Sequence, residues 1–126
     1  MTRTKIRTAL VSLAVAATAF AGLGTASAAT PTKVVIKPES GGFYGYVKSL
    51  DPACADGRTV VLYKQLGRFQ DPRNDRRIGS DTTELNGDRY MWSTGNTGTR
   101  SGRFYARATR IPGCRPANSR TIPAQP

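Results

Sequence analysis

From Lys33 to Ile122 the chain has no stretch of helical periodicity. Its apolar residues come in short alternating or β-branched runs, each closed by Gly, Pro, Asn or Asp. That pattern restricts the fold to strands. Lys33-Val34-Val35-Ile36-Lys37 is a β-branched run ended by Pro38. After the Ser40-Gly41-Gly42 turn, Phe43, Gly45 and Val47 fall on one face and Tyr44, Tyr46 and Lys48 on the other, as in a half-buried strand. Residues 58–64 hold Val60, Val61, Leu62 and Tyr63, apolar on both faces, and residues 77–83 make a weaker strand. Asn86-Gly87 predicts a type I′ hairpin turn leading into residues 89–93. Residues 103–110 alternate again, with Phe104, Ala106 and Ala108 inward, and residues 119–122 are a last short strand. Asp51-Pro52 and Asp56-Gly57 bracket Cys54 in a loop, and residues 67–76 are polar, Pro-broken and charged, a long surface loop. Seven short strands separated by turn signals predict an all-β sandwich or barrel.

The N-terminus limits which part of the chain folds. Arg3, Lys5 and Arg7 precede an uncharged, Ala-rich run that closes on Ala26-Ser27-Ala28. A basic segment, an apolar segment and an A-x-A site make a secretory signal peptide over residues 1–28, leaving residues 29–126 as one domain. The apolar part is shorter than the ~20 residues a membrane span needs and is mostly Ala and Thr. The protein is therefore expected to be secreted, extracellular and without a membrane span after processing. Removing three of 19 basic residues and no acid lowers the net charge from +11 to +8. Leu, Ile, Val and Phe together supply only 16 of the remaining 98 residues, so the core is thin and a covalent staple is expected. Cys54 and Cys114, both in the exported part, are read as that staple, a structural disulfide.

The ordered series GGFYGYVKS, C-x-x-GRTVVLYK, IGSDTTELNGDRYMW, GRFYARATR and a second Cys before NSRTI covers residues 33–123. It resembles small secreted Ig-like β-sandwich domains of the transthyretin-like or carboxypeptidase-regulatory type, common in exported proteins of high-GC Gram-positive bacteria. The resemblance implies seven strands in two sheets and both cysteines in loops at one end. It also implies a core of Phe43, Val47, Val60, Leu62, Trp92 and Phe104. Residues 67–76 are longer than the connection the family pattern has. The family implies no catalytic activity and supplies no site residues.

The chain contains no His, which removes Ser-His-Asp and Cys-His nucleophiles and His-based metal sites. The carboxylate pairs Asp51/Asp56, Asp71/Asp75 and Asp81/Glu84 each lie in or beside a turn, where Asp bonds the local backbone. No calcium or phosphate loop pattern is present. The expectation is thus a non-enzyme without cofactor or metal. A Lys–Asn isopeptide could be nominated from Lys37, Asn118 and Glu84, but such side chains ordinarily lie at the surface.

Charge is the remaining functional signal. Residues 29–88 carry nine basic and eight acidic side chains, whereas residues 89–126 carry seven Arg and no acid. Arg103, Tyr105 and Arg107 alternate with Phe104 and Ala106, so an inward Phe104 would present Arg-Tyr-Arg outward as a basic aromatic stripe, widened by Arg100, Arg110, Arg115 and Arg120. Arg forks match phosphate and carboxylate, and Tyr can stack on a sugar. Arg100, Arg103, Tyr105, Arg107 and Arg110 are the candidate anion- and polymer-binding set of a monomeric, non-catalytic binding module. Its expected partner is an anionic cell-envelope or extracellular polymer such as teichoic acid or acidic polysaccharide, with no specific nucleic-acid partner. The alternative is a protein-protein or inhibitor-like module working through the loops near Cys54 and Cys114. The bland reading of the Arg face is a solubilising surface. The cluster Arg68, Arg73, Arg76 and Arg77 is expected to be weaker, because Asp71 and Asp75 offset it.

Overall fold

The computed structural model describes residues 28–126, so the expected signal peptide lies outside the described residues except for Ala28. Among the described residues are nine strands: β1 Thr32–Glu39, β2 Gly42–Ser49, β3 Thr59–Lys64, β4 Arg76–Thr82, β5 Glu84–Asn86, β6 Arg89–Asn96, β7 Arg103–Ala108, β8 Ala117–Asn118 and β9 Ile122–Pro123. One 3-10 turn, Pro52–Cys54, starts where the Asp51 carboxylate accepts the Ala53 N–H at 3.0 Å.

The strands form two antiparallel sheets, β1-β2-β6-β5 and β4-β3-β7-β8, with β9 also on β7. The period-two runs explain which faces meet. Val34 and Ile36 of β1, Phe43 and Val47 of β2 and Trp92 of β6 are buried against Val60 and Leu62 of β3 and Phe104, Ala106 and Ala108 of β7. The Phe43 and Phe104 rings join the two layers at 4.9 Å between centroids. All six core residues implied by the resemblance are buried here. Gly45 makes room for the largest of them. A Cβ on Gly45 would stand 1.8 Å from the Val35 carbonyl oxygen and 3.0 Å from Trp92 Nε1.

Three sequence expectations need correction. The strand count is nine rather than seven. The short β5 pairs with β6 through Glu84, Leu85 and Asn86, and the expected last strand at 119–122 is replaced by β8 before it and β9, which begins at Ile122. Between those two, the Ser119 hydroxyl accepts the Ala106 N–H at 2.8 Å while the Ser119 N–H bonds Ala106 O at 2.7 Å. A side chain has taken the place of a ladder carbonyl, and the regular strand stops. Strand β1 runs through Pro38 to Glu39 because β1 is an edge, where a residue without an N–H is tolerated. The hairpin is displaced by one residue. Asn86 pairs with Arg89, and only Gly87 of the two loop residues has positive φ, +68°, which fits a II′ turn rather than I′.

The two ends of the sandwich differ. One is closed by the Cys54–Cys114 disulfide, with Cα atoms 5.5 Å apart. Beside it, the fully buried Arg58 donates to Thr109 O, Thr32 Oγ1, Cys54 O and Arg115 O at 2.7–3.0 Å. Carbonyl dipoles hold that charge, and burial lowers the pKa of the guanidinium. The other end gathers the β1–β2 turn, the β3–β4 loop (residues 65–75) and the β6–β7 loop (residues 97–102). Its turns are linked by Thr97 and Thr99 N–H bonds to Gly41 O.

Candidate functional site

The outward face of β7 begins with Arg103, Tyr105 and Arg107, as the alternation requires, but it is not open. The β3–β4 loop folds back over it. Tyr105 is fully buried, stacked on Tyr63 with centroids 5.4 Å apart, and its hydroxyl donates to Asp75 Oδ2 at 2.5 Å. The same carboxylate accepts the Leu66 N–H at 3.0 Å and the Asp71 N–H at 2.7 Å, so one acid ties both legs of the loop to the sheet. Desolvation works to raise the Asp75 pKa, yet these three donors outweigh it and the net shift is downward. Burial first, and then the Asp75 hydrogen bond and charge, push the Tyr105 phenol well above its usual range.

Amides fasten the rest of the loop. Gln70 Nε2 donates to Ser119 O at 2.8 Å and to Thr121 Oγ1 at 2.9 Å, and Gln70 Oε1 accepts from Asn118 Nδ2 at 2.9 Å. Asn118 Oδ1 in turn accepts from Arg107 Nη1 at 2.7 Å. Arg107 is half-buried and belongs to this network. Asn118 is thereby held on the sheet opposite to the one that carries Lys37, with its side chain engaged by Gln70 and Arg107.

Beside the fastened loop lies a shallow cleft of about 400 Å³, between the start of β4, the end of β3 and the β6–β7 loop. Lys64, Arg76, Arg77 and Arg100 line it together with Thr97, Thr99 and Ser101, and no carboxylate among the described residues does. Arg76, Arg77 and Arg100 are exposed, and Lys64 is half-buried beside Gly102. Arg103 stands next to it, exposed, with Nη2 on Gly67 O at 3.0 Å. Four cations around hydroxyl groups can hold phosphate or carboxylate oxygens by charge-assisted hydrogen bonds.

The five sequence candidates therefore do not form one face. Arg100 and Arg103 lie at the end with this cleft. Tyr105 is buried, and Arg107 is engaged by Asn118. Arg110 lies at the opposite, disulfide end, lining a surface depression with Ala29, Ile111 and Cys114. Arg103 and Arg110 are seven residues apart on extended chain, about 23 Å. The outward basic aromatic stripe is thus corrected: Tyr105 is the anchor of a loop, not an exposed stacking surface. Sequence reasoning ranked Arg76 and Arg77 as the weaker cluster because Asp71 and Asp75 partly offset it, and gave Lys64 no role. In the fold, Asp75 bonds Tyr105 and two backbone N–H groups, and Asp71 Oδ2 accepts from Asn74 Nδ2 at 2.7 Å. The Asp-Pro-x-Asn-Asp spacing was the available signal, since such residues bond their own turn. No protein family, curated protein or solved structure matches the chain.

Proposed function

We propose that this protein is an exported, non-catalytic binding module that holds an anionic envelope or extracellular polymer at the basic end of its sandwich. Lys64, Arg76, Arg77, Arg100 and Arg103 are the contacting groups. The observation that carries this reading is the cleft lined by four cationic side chains without a carboxylate. Export is supported by the basic, apolar and A-x-A sequence of residues 1–28 together with the Cys54–Cys114 disulfide, which is at home in an oxidising compartment. An Ig-like, transthyretin-like pedigree is compatible with two antiparallel sheets and belongs to the same proposal.

Binding of this kind weakens steeply with salt, because exposed charges are screened over about 8 Å at physiological ionic strength. The test is co-sedimentation with teichoic acid and with an acidic polysaccharide, between roughly 50 and 500 mM salt. The Arg76→Glu/Arg77→Glu/Arg100→Glu variant should lose at least tenfold in affinity. Arg110→Glu/Arg115→Glu, at the opposite end, should lose far less. Equal losses in the two variants would mean that net charge alone, not this cleft, governs binding.

A further inference from the structure

The apex of the β3–β4 loop carries two large apolar side chains in water. Leu66 is 62% and Phe69 76% exposed. They are not exposed through looseness. Gly67 O, between them, accepts from Gln65 Nε2 at 2.9 Å and from Arg103 Nη2 at 3.0 Å. The Leu66 N–H is held by Asp75, Gln65 N donates to Arg103 O at 2.8 Å, and Gln70 is bonded to Ser119 and Thr121. The backbone on both sides is fixed, which keeps Leu66 and Phe69 out of the core and pointed away from the sheet.

Cations outnumber acids around this apex. Arg68 places its guanidinium 5.7 Å from the Phe69 ring centroid, and Arg73, Arg76, Arg77 and Arg103 are exposed nearby in the chain or by contact. Of the loop's two acids, Asp75 is half-buried on Tyr105 and two backbone N–H groups and Asp71 is exposed with one oxygen on Asn74, so five arginines face two carboxylates. A dissolved polyanion would use the cations and leave Leu66 and Phe69 in water. An anionic lipid surface uses both, because headgroup phosphates meet Arg while an aromatic and an aliphatic side chain enter the acyl boundary.

We propose that the Leu66–Phe69 apex is a preformed wedge that docks this end of the protein onto an anionic lipid surface. The wedge shares its cations with the polymer-binding reading but rests on the two apolar side chains, which that reading does not use. A fixed loop suits the role, since little ordering entropy is lost on contact.

The test uses the exported, disulfide-bonded protein and vesicles of phosphatidylcholine with and without phosphatidylglycerol. A Phe69→Trp variant reports on the apex, because the one native tryptophan, Trp92, is buried in the core. The expected result is sedimentation with the anionic vesicles only, a blue shift of the Phe69→Trp emission, and its quenching by bromine-labelled acyl chains. Leu66→Ser/Phe69→Ser should lose at least tenfold in vesicle affinity and keep its polymer binding and its unfolding midpoint. Unchanged vesicle binding in that double variant, or an unquenched reporter, would overturn the wedge and leave the polymer reading standing. Vesicle binding without polymer binding would do the reverse.

Discussion

The buried guanidinium of Arg58 joins four segments that an apolar side chain could not join: the Pro52–Cys54 turn, β1 at Thr32, the end of β7 at Thr109 and the chain after Cys114. Its removal strands the carbonyls of Cys54, Thr109 and Arg115, the first of them buried. Arg58→Met should therefore destabilise the fold by about 3 kcal/mol, and Arg58→Lys, which keeps the charge but not the fork, by less. Urea unfolding midpoints measure both, and a neutral Arg58→Met would show that water takes over those carbonyls. Gly45 makes a different demand. A methyl group there has to displace the Val35 carbonyl, so Gly45→Ala should cost about 1–3 kcal/mol, read in the same unfolding experiment. Neither residue was legible beforehand. Arg58 looks like the polar start of a strand, and the alternation that places Gly45 inward does not say that a tryptophan lies over it.

At the scale of elements, alternation decided the outcome where it was strong. Phe43, Gly45 and Val47 on β2 and Phe104, Ala106 and Ala108 on β7 turned inward as their spacing required. The assumption that failed was that an outward-facing position is a solvent-exposed one. Tyr105 points away from the core and is still buried, because a loop eleven residues long returns over it by way of Asp75, Gln65 and Gln70. Spacing within one strand carries no information about such a long-range return. The Asp75 pKa is depressed in the fold, so its contribution is present above the unfolded value of about 3.9 and is lost as pH falls through the folded value. The Tyr105 pKa is raised, so its contribution is full below about pH 10 and declines above it. The protection of the Leu66 and Asp71 amides against hydrogen exchange, both held by Asp75, should accordingly be high across the neutral range and fall in acid, and Asp75→Asn should bring the lower protection to neutral pH. Exchange that ignores Asp75→Asn would mean that the Gln70 and Gln65 contacts alone hold the loop.

For the whole molecule, a thin core is bounded by two unlike ends. One is covalently closed, and the other concentrates exposed Arg around a fixed loop. The 60-residue separation of the disulfide corresponds to a stabilisation of about 4 kcal/mol in the chain-entropy account. Reduction should lower the unfolding midpoint accordingly, and an unchanged midpoint would place the stability elsewhere. The imbalance of charge along the sequence was legible, but its location in space was not. Arg100 and Arg110 are ten positions apart and sit at opposite ends, while Arg100 and Lys64 share a cleft. The most direct measurement of the central claim is the titration of an anionic polymer into nitrogen-15-labelled protein, followed by amide chemical shifts. The account predicts perturbations concentrated at Lys64, Arg76, Arg77 and residues 97–103. Shifts centred instead on Arg110, Arg115 and the disulfide loops would contradict it.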